Sequence, residues 1–286
     1  NLNSAATNDE LQKIAKEVSP NQAAHNDNIY LNEKLFKRVK AIWDKKESLK
    51  LNLEQAKILE NRHKAFVRSG ANLSNEDKDK LRKINAELSL TSLKYGQNIL
   101  AETNKYELVI SDRKELTGLP QELINAAAED AKAKGKDGKW VFTLSNSSVM
   151  PFLQYSSNRK LRQQIWDAYQ TRANHDDDLD NKENVIKLAN LRGEKARLLG
   201  YKSHSDYVLE EAMAKNPANV AQLLNDLWTP ALEIAKTEAA DIQKMMDKDG
   251  IKDQVKPYDW RYYTEKIRKQ RFDLDEQELK PYFSLE

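Results

Sequence analysis

Residues 74–110 read "SNEDKDKLRKINAELSLTSLKYGQNILAETNKYELVI", and the change of pattern inside this stretch decides the fold class. Ser74 with Asp77 opens a helix, because a serine oxygen can accept one of the N–H groups that a first turn leaves without a partner. Leu81, Ile84, Leu88, Tyr95 and Ile99 then recur at helical spacing. At "YELVI" (106–110) the run becomes β-branched and aromatic, and the same character returns in "KWVFTLS" (139–145). Between them, "LPQELINAAAEDAKAKGKDG" (119–138) predicts a helix begun at Pro120 and ended near Gly135. A small sheet with a crossover helix is expected, as an island in a helical chain.

The flanks carry helix signals throughout. Thr7 and Glu10 form a T-x-x-E capping box ahead of Leu11, Ile14 and Val18, and Ser19-Pro20 reads as a second start. In "NEKLFKRVKAIWDKK" (32–46), Leu35, Phe36, Val39, Ile42 and Trp43 share one face, and a helix from Asn52 to Ser69 is closed by Gly70. After the island, helices resume past Met150. Asn158 to Ala173 carries Leu161, Ile165, Trp166 and Tyr169, and Asp180 to Leu199 is closed by Gly200. A short helix follows Ser203. Asn216-Pro217 opens one that runs to Asp249 with a kink at Pro230, and "DWRYYTEKIRKQ" (259–270) begins the last long one. In the final "SLE" (284–286), the serine reads as the N-cap of a further element. The expected fold is mainly α: helical hairpins over 1–105, a small α/β insert over 106–145, and a helical scaffold segment over 146–286.

Composition narrows the function. Of 286 residues, 32% are charged, yet 47 basic side chains against 45 acidic ones leave a net charge of +2. No basic stripe exists for a phosphate backbone, so no nucleic-acid partner is expected. No apolar run approaches the length of about 18 residues that a membrane span requires, so no membrane partner is expected either. The absence of cysteine excludes disulfides, thiol nucleophiles and Cys-ligated zinc.

Few residues offer chemistry. His25, His63, His175 and His204 are too far apart in sequence for any helix to present two imidazoles to one metal. "HDDDLDNKENVIK" (175–187) places Asp176, Asp178 and Asp180 at positions 1, 3 and 5 of a calcium loop. Asn181 then stands where the turn glycine belongs, and Lys187 where the bidentate glutamate belongs. An acidic loop before a helix is the better reading. In the cluster Tyr258, Trp260, Tyr262 and Tyr263, Trp260 and Tyr263 are three residues apart and are expected in a core. Tyr262 falls on another face, free to line a groove. From residues alone there is no recognisable active site: no catalytic and no metal residue is assigned.

Two segments supply what the motifs do not. "LRGEKARLLGYKSHSDYVLEEAMAKNPANVAQLLNDL" (191–227) and "YDWRYYTEKIRKQRFDLDEQELKPYFSLE" (258–286) resemble the M3 family of zinc metallopeptidases, the thimet oligopeptidase group. "HNDNIYLNEKLFKRVKAIWD" (25–44) and "NSSVMPFLQYSSNRKLRQQIWDAYQTRA" (146–173) fit it too, nearest the bacterial peptidyl-dipeptidase branch. The resemblance implies two mostly helical lobes around a channel that admits short peptides. It also implies an H-E-x-x-H helix downstream of the "YF" segment, whose histidines and a later glutamate bind zinc and whose own glutamate activates water. On this reading the chain is an internal piece, a non-catalytic scaffold and channel wall without zinc of its own, and inactive until joined by the downstream catalytic half. Tyr262 is its candidate channel residue. The alternative is a stand-alone helical protein-interaction module without enzymatic activity. Cytoplasm and periplasm are equally compatible with the sequence.

Overall fold

A computed structural model describes residues 7–273 and 280–283; the expected N-cap at Ser284 lies outside them. The described residues form eleven α-helices and one two-stranded sheet, so the chain is mainly α. In chain order the helices are α1 (Asp9–Tyr30), α2 (Glu33–Trp43), α3 (Leu53–Arg68), α4 (Asn75–Lys105), α5 (Gln121–Ala133) and α6 (Asn146–Tyr155). They continue with α7 (Arg159–Gln170), α8 (Lys182–Leu198), α9 (His204–Leu209), α10 (Pro217–Lys248) and α11 (Pro257–Phe272). Strands β1 (Leu108–Ile110) and β2 (Trp140–Phe142) flank α5, and short 3-10 turns cover Arg113–Leu116 and Lys280–Phe283. Among the described residues, no helix is long and apolar enough to cross a membrane.

The chain groups into two compact units. One comprises Asn1–Leu100 with Asp176–Gln222, the other Ala101–His175 with Leu223–Glu286. The first is pinned by Phe36, Phe66 and Ala71, with Tyr30, Val39 and Val67 against them. Phe66 receives the edge of Tyr30 at 5.3 Å and stacks on Phe36 at 5.8 Å, offset geometries that suit the ring quadrupoles. The second unit has its main core where the sheet meets α5, α6 and α7. Leu108, Ile110, Phe142, Val149, Phe152, Leu153 and Ile165 are all buried there. A smaller cluster joins Ile242 and Met246 of α10 to Tyr263 of α11.

Most predicted boundaries hold, and the departures have local causes. The N-cap of α1 is Asn8, not Thr7: its side-chain oxygen accepts from Leu11 N–H at 2.8 Å, with Asp9 and Glu10 filling the first turn. Pro20 starts no new helix, and α1 runs through it. The carbonyl that proline leaves without a donor belongs to Lys16, an exposed residue that water can serve. The same reason explains α6, a helix not foreseen before Met150. Pro151 sits inside it, and the residue four back, Ser147, is exposed. The strands pair antiparallel, Leu108 opposite Phe142 and Ile110 opposite Trp140, so α5 connects an antiparallel pair rather than crossing over a parallel one. Helix α8 begins at Lys182 rather than Asp180, because the Asn181 side chain is drawn inward. Its amide donates to the Tyr95 carbonyl at 3.0 Å, and its oxygen accepts from Asn98 and Asn184. Helix α10 continues through Pro230 to Lys248.

The turn after α3 offers a paired test. Gly70 has φ +94°, and a Cβ there would lie 2.8 Å from a Leu81 methyl and 2.9 Å from one of Leu73. Gly96 is exposed in mid-helix, and a methyl added there would meet nothing within 4 Å. Gly70→Ala is expected to destabilise the chain by about 1–3 kcal/mol, through left-handed strain and the clash. Gly96→Ala should stabilise by up to about 1 kcal/mol, as helix propensity dictates. Urea unfolding of the two variants, monitored by circular dichroism, is the check; equal effects would contradict the structure.

Candidate functional site

Helix α11 starts with Pro257 at its first position and has Asp259 in its first turn. The Asp259 carboxylate is fully buried, a position that an isolated anion could not hold. One of its oxygens accepts from Arg159 Nε and Arg162 Nη2, each at 3.0 Å; the other accepts from Arg159 Nη2 at 2.9 Å and the Lys256 N–H at 3.1 Å. Arg162 is itself without solvent exposure, and it also donates to the carbonyls of Ser156 (2.8 Å) and Tyr258 (3.2 Å). Arg159 reaches outward to Asp253 at 2.9 Å, and its two carboxylate partners, Asp259 first, raise its already high pKa further. This cluster fixes α7 against the start of α11 and thereby sets which side chains of α11 face outward.

Tyr262 is half-buried. Its ring meets Tyr263 edge-on at 5.0 Å and lies under the Arg162 guanidinium at 4.2 Å. Tyr263 is buried beside Ile242 and Met246, and burial, reinforced by Asp249, holds its hydroxyl well above the usual phenol range. The division expected within the aromatic cluster therefore holds for Tyr263 in the core. Trp260 packs against that core but also lines an open groove. Tyr262 faces a cavity of about 350 Å³ that it shares with Gly118, Pro120, Tyr155, Lys266 and Lys269.

The Trp260 groove is larger, about 850 Å³. Trp166 of α7, Val255 and Pro257 give it apolar walls, and Arg261 and Arg268 bring cations to it. Gln154 and Glu265 line both depressions. They are hydrogen-bonded to each other at 3.0 Å, and Glu265 also pairs with Arg268 at 2.8 Å. Aromatic shelves beside guanidinium groups, of which Arg268 is held by Glu265, suit extended peptides, which present apolar side chains and backbone or terminal carboxyl oxygens. Arg162 and Arg159 were not singled out from sequence, and Trp166 only as part of the apolar spacing of α7. One signal was available: Arg162 lies three residues before Ile165 and four before Trp166, on the apolar stripe of α7.

The other sequence candidates are dispersed. The His63 ring stacks on Trp43 at 4.4 Å, and His175 pairs with Glu102 at 2.6 Å. His25 is exposed, and His204 has a buried Nδ1 without a hydrogen-bond partner among the described residues. In the acidic loop, Asp180 accepts from the N–H groups of Asp176 and Lys182, each at 2.8 Å, and the Lys182 ammonium pairs with Asp176 and Asp180. The loop's carboxylates hold the start of α8. Among the described residues no group of three His, Cys, Asp or Glu could hold a metal ion, so these residues do not fit zinc.

Comparison with known proteins places these features in a context. Residues 152–286, which include α7 and α11, match the model of peptidase family M3. The dipeptidyl carboxypeptidase of Escherichia coli (strain K12) is 36% identical over 99% of this chain and 42% of its own length. Oligopeptidase A of the same organism is 29% identical over 99% of the chain and 42% of its own length. An organellar oligopeptidase A of Arabidopsis thaliana is 30% identical over 96% of the chain and 36% of its length. The chain thus spans about 42% of the bacterial relatives.

Two measurements test the site. Asp259→Asn leaves two guanidinium groups facing a neutral amide, one of them fully buried, and should cost about 3–5 kcal/mol in chemical unfolding; a loss under about 1 kcal/mol would remove the cluster from its structural role. Asp180 is held down to about 2 from its ordinary 3.8, first by the two backbone N–H groups. A depressed carboxylate stabilises the fold above its unfolded pKa, and that contribution disappears as pH falls from 3.8 through 2. An NMR titration should give Asp180 a midpoint near the lower value.

Proposed function

We propose, from its similarity to the M3 peptidases, that the chain forms the scaffold and channel wall of a zinc-dependent peptidyl-dipeptidase or oligopeptidase acting on short peptides. The observation that carries the reading is the Trp166–Trp260 groove with Arg261 and Arg268, which lies within the span matched to the family. On this reading Tyr262 is a channel residue, and Trp260 and Trp166 hold apolar side chains of the peptide. The zinc ligands and the water-activating glutamate belong to the part of the parent protein that this chain does not cover. The division of the chain into 1–105, 106–145 and 146–286 is retained as a proposal about its modular build. Short peptides and the downstream catalytic half are its proposed partners, in the cytoplasm or the periplasm.

The exposed apolar face of α10 supports a covering partner. Leu223, Leu224, Leu227, Trp228 and Ile234 are all exposed, with Trp228 at 65%. Helices rarely leave such a face bare when a neighbour is present to bury it. The same face is the observation that favours the alternative, a stand-alone interaction module, so activity has to decide between them.

The isolated chain is expected to retain no stoichiometric zinc after dialysis and to leave a quenched-fluorescent peptide uncleaved. Supplying the downstream half should give chelator-sensitive cleavage. In that assembly, Trp260→Ala is expected to raise KM by about tenfold, the loss of about 1.4 kcal/mol from one aromatic shelf. Zinc-dependent turnover by the chain alone would refute the scaffold reading. A chain that binds other proteins but never restores turnover would favour the interaction module.

A further inference from the structure

The unit that lacks the groove has a cavity of its own, about 630 Å³, between α1, α4 and α8. It brings together Asp27 of α1, Asn85 of α4 and Lys195 of α8. These side chains form a relay: Asn85 Nδ2 donates to Asp27 Oδ1 at 2.7 Å, and the Lys195 ammonium donates to Asn85 Oδ1 at 2.8 Å. An anion and a cation are therefore held one amide apart, instead of closing into a direct ion pair.

Both charges carry unused capacity. The ammonium has three donors, and the carboxylate has a second oxygen. Neither group is comfortable in its surroundings. Burial lowers the Lys195 pKa, only partly offset by Asp27, and burial raises that of Asp27, opposed by Asn85, Arg82 and Lys195. Arg82 is engaged with Asn28 at 2.9 Å. The Asn85 amide shows what fits between the two: a donor toward Asp27 and an acceptor toward Lys195, on neighbouring atoms.

We propose that this cavity is a binding site for a free α-amino acid, its ammonium on Asp27 and its carboxylate on Lys195. An α-amino acid has the polarity of that amide with full charges, and its two ends are separated by a similar short distance. Charge-assisted hydrogen bonds to both groups would be about twice as strong as neutral ones. Tyr30, Leu81 and Leu88 line the remaining space and select an apolar side chain, while Ser69, Ser89 and Ser92 leave room for it.

Calorimetry on the 286-residue chain with free leucine tests this, using 4-methylpentanoate, which lacks the ammonium, and 3-methylbutylamine, which lacks the carboxylate, as controls. Leucine is expected to bind saturably with a Kd of about 1 mM or tighter, and each control at least about tenfold more weakly. Lys195→Met and Asp27→Asn should each abolish leucine binding, with folding verified by circular dichroism. If either variant fails to fold, the two controls on the unaltered chain still decide. No saturation by about 10 mM leucine, controls that bind as well as leucine, or folded variants that retain binding would each overturn the proposal.

Discussion

A carboxylate removed from water has to be surrounded by donors, and around Asp259 that requirement organises the second unit. Four hydrogen bonds converge on it, three of them from guanidinium groups of α7 and one from the backbone just before α11. Desolvating three charges is costly, and apolar residues of the same volume could serve stability equally well. What the cluster provides is direction. Arg162 can satisfy Asp259, the Ser156 carbonyl and the Tyr258 carbonyl together only in one placement of α7, α6 and α11. With that placement set, Trp166 and Trp260 line one groove, and Tyr262 is left under a guanidinium at the adjoining cavity.

The first unit uses polar contacts differently. Its apolar centre is small, built on Phe36, Phe66 and Ala71. Much of its cohesion comes from side chains distant in sequence: Arg68 with Glu210 and the Tyr207 carbonyl, and Asn181 with Tyr95 and Asn98. Networks of this kind hold only when every member is satisfied. Asp27 and Lys195 are bridged through Asn85 instead of pairing directly, and both line a cavity. Their arrangement belongs to recognition more than to cohesion.

The match of residues 152–286 to peptidase family M3 and the physical features of the chain are independent observations. The groove, the bare face of α10 and the dispersal of the histidines are properties of these residues alone. The buried ionic cluster joins α7 to α11, the two helices that carry Trp166, Trp260, Arg261 and Arg268.

The sequence by itself determined the class of fold and most element limits, because those depend on local signals. Apolar spacing in "DKLRKINAELSL", the caps at Asn32, Asn52, Asn158 and Ser203, and the stops at Gly70, Gly135 and Gly200 are written within a few residues of where they act. It also marked Tyr262 as lying on a different face from Tyr263, which follows from helical geometry alone. Tertiary structure decided the rest. Whether Pro20 and Pro151 end a helix depended on the exposure of the carbonyls four residues earlier. The direction of the strand pair depended on the path of α5, and the start of α8 on a pocket for Asn181 made by α4. The burial of Arg162 and the meeting of Asp27 with Lys195 join residues 97 and 168 positions from their partners' places in the chain. No local pattern encodes such pairings, since the free energy of a buried charge is set by whatever the fold brings beside it.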